Sequence, residues 1–223
     1  MKKTGAIEMS ETLDIAGRIP RLENGDRLTR KEFERRYQAM PDLKKAELIE
    51  GVVYVGSPVT SDHGCPHAWV MGWLTVYRSF TPEVEVFDNT TVRLDADNEP
   101  QPDALLRFKT GGQSIVSSDR YIEGAPELIV EIAVSSASYD LHDKFQVYRR
   151  NSVLEYLVWR VEDNAFDWFR LQDGEYIRVK ANSEGIFCSE VFLGLWLDAE
   201  ALLAGDLSKM FQVLHRGLAS REN

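Results

Sequence analysis

Residues 127–134 read ELIVEIAV, and one residue in that run is out of place. Leu128, Ile129 and Val130 precede Glu131, and Ile132, Ala133 and Val134 follow it. Apolar residues on both parities mean that both faces of the strand are covered, as in the centre of a sheet with helices on either side. An ionised carboxylate there costs several kcal/mol unless a cation, a metal ion or hydrogen-bond donors meet it. The stretch therefore sets two expectations: a layered fold around a central sheet, and a compensating group next to Glu131.

Helical and strand patterns alternate on either side of that strand. TRKEFERRYQAM, from Thr29, has a capping residue followed by Phe33, Tyr37 and Met40 at helical spacing. AELIEGVVYVG reads as a hairpin turning at Glu50-Gly51. GCPHAWVMGWLTVYRSF places Trp69, Trp73, Val76, Tyr77 and Phe80 on one stripe, with Pro66 suited to a first turn, so an amphipathic helix with these aromatics in the core is expected. VEVFDNTTVRL and QPDALLRF read as strands separated by the turn DADNEP. From Tyr139 to Arg150 the spacing is helical again, with Leu141, Phe145 and Tyr148 in one stripe. LEYLVWR, AFDWFRL and EYIRVK follow as strands, the last two joined by QDGE, and a helix from Ala199 to His215 closes the chain. The expected fold is mixed α/β (α+β): a central mixed β-sheet flanked by helices, with an N-terminal arm at 1–25, a domain at 26–197 and a C-terminal helix at 198–223.

Composition narrows the class. With 223 residues, 43% of them hydrophobic, the chain can bury a sizeable core. No run of about 18 apolar residues occurs, so a soluble, cytoplasmic protein with no membrane association is expected. Cys65 and Cys188 have no zinc-like spacing and read as buried free thiols. The 26 basic and 36 acidic residues give a net charge of −10, which argues against a protein that coats nucleic acid while leaving room for a local basic groove.

Three acidic residues are associated with strands: Glu47 in the hairpin, Asp103 after Gln101-Pro102, and Glu131. Carboxylates on neighbouring strands stay ionised together only around a cation, and oxygen donors select magnesium or manganese. Lys144, thirteen positions after Glu131, lies on the helix that folds back over the sheet, where Asp140 is its i−4 neighbour. His63 stands before a helix start and Gln101 near the acidic group, so each can contact substrate or merely hold a turn. His67, His142 and His215 read as packing or surface residues, and Arg149-Arg150 as a solvated face.

PDALL, then ELIVEIAVSSASYDLHDKFQVYRR, then LEYLVW resemble the PD-(D/E)XK nuclease superfamily and, within it, the Uma-two-type restriction endonuclease family. The resemblance runs from about Ala46 to about Val161 and includes ELIEG at 47–51 and the Ser57-Pro58 pair before His63. It implies a restriction-endonuclease-like core in which Asp103 and Glu131 bind Mg²⁺ or Mn²⁺, with Glu47 as the acidic residue at the edge of the core. Where the superfamily usually has lysine this chain has Ala133, and the resemblance implies that Lys144 replaces it from the following helix. The implied activity is hydrolysis of phosphodiester bonds in DNA. A homodimer is the expected assembly, because the C-terminal segment EVFLGLWL and the helix after it have apolar surface to cover and two sites cut both strands of a duplex more easily. Two alternatives are a catalytically inactive protein of the same fold that binds nucleic acid or protein, and a purely structural Glu131–Lys144 pair.

Overall fold

The computed structural model describes residues 18–134 and 140–222. Most of the arm expected at 1–25, residues 135–139 and the side chain of Asp140 lie outside the described residues.

Helix α1 (Arg30–Gln38) begins where Thr29 accepts a hydrogen bond from the Glu32 amide, the cap its sequence announces. Strands β1 (Ala46–Ile49) and β2 (Val52–Val55) form the hairpin, and the turn pair Glu50 and Gly51 has positive φ at both positions, 53° and 71°. Helix α2 spans Ser61–Ser79, so it starts five residues before Pro66 rather than near it. The expected stripe is shifted with it. Val70, Trp73, Leu74 and Tyr77 are buried, whereas Phe80 caps the helix and is 55% exposed.

The central sheet combines β3 (Val84–Asp88), β5 (Ala104–Phe108), β8 (Leu128–Ala133), β9 (Glu155–Arg160), β10 (Ala165–Gln172) and β11 (Glu175–Arg178) in the order β11-β10-β9-β8-β5-β3. Every residue of β8 is buried, as its two-sided pattern requires. Only the β8–β9 pair is parallel; the other pairings in this sheet are antiparallel. The crossover between them carries a π-helical turn (Asp140–Lys144) that runs into α3 (Phe145–Arg150). A small sheet of β4 (Val92–Arg93), β6 (Ile115–Val116) and β7 (Ile122–Glu123), and a pair β12 (Ile186–Cys188) and β13 (Trp196–Asp198), were too short to announce themselves.

The C-terminal helical stretch is two helices, α4 (Ala199–Leu203) and α5 (Leu207–Ala219), broken at Gly205, whose φ is +72°. Helices α2, α4 and α5 cover one face of the sheet, where Trp73, Leu106, Val130, Trp168 and Leu214 pack together. On the other face Leu105, Ile129 and Ala133 pack against Val147 and Tyr148 of α3, with Ile49 of the hairpin. Glu131 shares the parity of Ile129 and Ala133, so it points to this second face. Cys65 is exposed rather than buried, and both cysteines are free thiols. No helix among the described residues is long and apolar enough to cross a membrane.

Candidate active site

The hairpin, the start of β5, the end of β8, the first turns of α2 and the crossover meet at a cleft of about 450 Å³. Glu47, His63, Asp103, Glu131 and Lys144 all line it. Four of the expected site residues, Glu47, Asp103, Glu131 and Lys144, are buried despite their charge.

Lys144, 3% exposed, sits between two carboxylates: its Nζ is 2.9 Å from Glu131 Oε1 and 3.0 Å from Glu47 Oε1. The π turn positions it by ending at Lys144 itself, so the side chain leaves the crossover directly above β8. Tyr148, one turn further along α3, donates its hydroxyl to the same Glu131 Oε1 at 2.7 Å. Burial, and then the Glu131 charge, push the Tyr148 hydroxyl well above its ordinary range, so it remains a donor. Glu47 also accepts the Gln101 amide at 2.7 Å, which ties the hairpin to the chain entering β5.

Asp103 lies on the same sheet face as Glu131, because the β5–β8 register pairs Ala104 with Val130 and so sets 103 beside 131. Its Oδ2 accepts the Ile132 amide at 2.8 Å and lies 3.1 Å from His63 Nε2; Lys45 Nζ is 3.6 Å from Oδ1. Burial works against ionisation of Asp103. The His63 hydrogen bond, the charges of Lys45 and His63 and the Ile132 amide outweigh it and hold the carboxyl far below the usual range. His67 Nε2 is 2.9 Å from the Asp103 carbonyl and 3.1 Å from Asp88 Oδ1, so it belongs to the cleft rather than to helix packing. Gln101 turns its side-chain amide to the Asn89 carbonyl at 2.7 Å, a turn bond, while its backbone serves Glu47.

Sequence reasoning missed Lys45, His67 and Tyr148. Lys45 and His67 have a faint signal, since one flanks the hairpin and the other stands four residues after His63 on the same helix face. Arg149 and Arg150 pair with Glu175 and Glu50 on the outside, as a solvated face does.

The donor set bears on a metal. Among the described residues no group of three or more His, Cys, Asp or Glu side chains is gathered closely enough to hold an ion. Glu47 and Glu131 are instead spanned by Lys144. Two buried carboxylates on adjacent strands, Asp103 and Glu131, nevertheless present oxygen donors to one cleft. That set fits a hard divalent ion that keeps most of its water and takes only one or two carboxylates.

A crystal structure from Anabaena variabilis, described as a "putative nuclease belonging to DUF820", matches this fold with a TM-score of 0.61. The match covers 76% of this chain and 96% of that one, at 12% sequence identity, so it speaks for the fold alone. No curated protein matches the chain. The family model Uma2, described as "Putative restriction endonuclease", matches residues 30–200, which is most of the molecule, and the chain belongs to that family.

Proposed function

We propose that the protein is a metal-dependent endonuclease that hydrolyses phosphodiester bonds in DNA, with the cleft around Asp103, Glu131 and Lys144 as its active site. One observation carries this reading: three buried carboxylates and a buried lysine from four separate elements line the same cleft. A structural pair needs one acid and one base, and the further buried carboxylates gathered at the same cleft favour a site that receives a ligand. Membership of a family described as "Putative restriction endonuclease" supports DNA as the substrate class.

Asp103 and Glu131 are the residues that would hold Mg²⁺ or Mn²⁺, with Glu47 at the edge of the set. The ion supplies positive charge at the scissile phosphate and makes water a stronger acid at neutral pH. This chain's own groups do the rest. His63, Lys45 and the Ile132 amide keep Asp103 ionised and fixed. Tyr148 fixes Glu131, and Lys144 presents its ammonium where charge develops on the phosphate oxygens. His63 contributes by orienting Asp103, and Gln101 by holding the Glu47 hairpin. Two copies of the chain would cut both strands of a duplex, and the exposed Leu193 and Phe80 offer apolar surface for such a contact. Light scattering checks this: a mass of one chain, 25.4 kDa, rules the dimer out.

The decisive experiment is nicking of supercoiled plasmid with Mg²⁺ or Mn²⁺ by the wild type and by Asp103→Ala, Glu131→Ala and Lys144→Ala. Metal-dependent nicking lost in each variant is the expected result, and activity that survives Glu131→Ala sinks the mechanism. The Lys144 bridge favours one alternative, a purely structural Glu131–Lys144 pair. Calorimetric titration with Mn²⁺ separates the two, since binding that vanishes in Asp103→Ala supports a catalytic site and no binding at all leaves a structural pair.

A further inference from the structure

A second pocket, sharing no residue with the cleft, lies between α1, the segment that follows it and the small sheet. Its volume is about 170 Å³, several times that of a water molecule, and its walls include Glu34, Tyr37, Met40, Arg93, Glu99 and Tyr121. Glu99 is the anomaly. It is 3% exposed, and among the described residues its Oε2 accepts no hydrogen bond and the nearest cation, Arg93 Nε, is 3.7 Å away. That nitrogen is closer to Glu34 Oε1, at 2.9 Å, and Arg93 Nη1 turns to Asp119 at 2.8 Å.

The local charges do not balance. Arg93 and Arg30 are shared among Glu34, Glu99, Asp119 and Glu123, two cations for four carboxylates. The other titratable groups facing the pocket are Tyr37 and Tyr121, with the Lys45 charge reaching Tyr37. Burial, followed by the Glu34 carboxylate, raises Glu99 to about 8, so at neutral pH a proton supplies the charge that the protein does not. A buried carboxyl lining a cavity with aromatic walls suits a cation that is itself partly apolar. The Tyr121 ring already carries a guanidinium, with the Arg93 carbon 4.3 Å from its centroid. A hydrated Mg²⁺ ion gains nothing from Tyr37, Met40 and Tyr121.

We propose that this pocket binds the ammonium group of a small alkylamine, with Glu99 and Glu34 as its anionic partners and the alkyl chain lying against Tyr37, Met40 and Tyr121. The exchange balances: the ammonium enters with its proton, the Glu99 carboxyl ionises, and one proton leaves to the buffer. The site does not depend on the nuclease reading.

The test is calorimetric titration of the full-length chain with n-butylammonium chloride at pH 7, in two buffers of different ionisation enthalpy. Saturable binding is expected, with close to one proton released per amine, and affinity about tenfold weaker for each pH unit below about 8. Glu99→Gln, which mimics the protonated carboxyl, is expected to weaken binding at least about tenfold and to abolish proton release. n-Butanol and Mg²⁺ are expected to leave the amine isotherm unchanged. The proposal is overturned if no saturable heat appears up to about 50 mM amine, if n-butanol or Mg²⁺ competes, or if Glu99→Gln binds as the wild type does. Should Glu99→Gln fail to fold, the wild-type measurement still decides, because binding without proton release also overturns it.

Discussion

Lys144 serves two carboxylates at once, which makes it the residue on which the site depends. Removing it leaves Glu131 and Glu47 buried with their shared cation gone, and breaking a buried pair in this way costs about 3–5 kcal/mol. Lys144→Ala is therefore expected to shift the urea midpoint strongly, and Lys144→Ala/Glu131→Gln to recover part of the loss because one stranded charge is removed; equal midpoints for the two variants would contradict the bridge. Asp103 is the opposite case in pH. Its folded value lies below the ordinary aspartate value of 3.8, so the stability it contributes is present above about pH 4 and is lost as acid carries the pH down through its folded value. Asp103→Asn should accordingly be less stable than wild type at about pH 7, with the difference shrinking as the pH falls from about 4 towards 2, as read by circular dichroism. The oddity of Glu131 was legible in the sequence because a charge in an apolar run is a local signal. Its partners were less so: Tyr148 is 17 positions away and looks like any core aromatic. His63, 40 positions from Asp103, carried only an even choice between capping a turn and touching substrate.

At the scale of elements, β8 shows why a lysine fits poorly at position 133, where the resembled superfamily usually has one. Ala133 is fully buried and packs in the cluster formed with α3, on the face that Glu131 shares. A lysine there would displace Val147 and Tyr148, the contacts that seat the helix carrying Lys144. The double variant Ala133→Lys/Lys144→Ala is thus expected to remain inactive in plasmid nicking and to lose a further 1–3 kcal/mol, roughly, from overpacking on top of the Lys144 loss. A rescue of activity would show that β8 tolerates the usual motif. The hairpin yields a second prediction. Gly51 has φ +71°, and a Cβ there would come 3.2 Å from the Leu28 carbonyl oxygen. Gly51→Val should destabilise the fold by about 1–3 kcal/mol in thermal unfolding, since a β-branched residue is poorly tolerated at positive φ. Elements with strong periodicity or clear turns, such as α1, the β1–β2 hairpin and β8, could be read directly. The start of α2 could not, because Pro66 is a helix-start signal in isolation and here lies inside a helix fixed by its packing on the sheet. The break at Gly205 was hidden for the same reason: the apolar spacing of α4 runs into that of α5 across the gap.

For the whole molecule, two buried carboxyls that do not line the cleft, Glu155 and Glu99, shape the pH dependence near neutrality. Burial lifts Glu155 to about 7 from 4.5, with the Ser189 hydroxyl and the Val191 amide opposing it. A raised carboxyl contributes stability that is complete below about 4.5 and lost as pH rises through its folded value. A difference of about 2.5 pH units corresponds to about 3 kcal/mol. Glu99 acts in the same direction. Stability should therefore fall between about pH 5 and pH 8.5, and Glu155→Gln should flatten that slope; a flat wild-type curve would contradict both assignments. The C-terminal segment also looks different in three dimensions. Its apolar residues suggested an interface in the sequence, yet Met210, Val213, Leu214 and Leu218 are buried within the chain's own fold, against the face of the sheet that α2 covers. The only parallel pairing in the central sheet, β8 with β9, has a consequence for how the protein assembles. Parallel neighbours cannot be joined by a tight turn, so the register Glu131↔Val158 closes only after the chain from 134 to 154 has crossed over, and that segment contains Lys144. Closing such a loop is slow compared with forming a hairpin. Completion of the sheet and delivery of the ammonium to its carboxylates are then one kinetic event, and a folding intermediate that lacks β9 would also lack the cleft's chemistry.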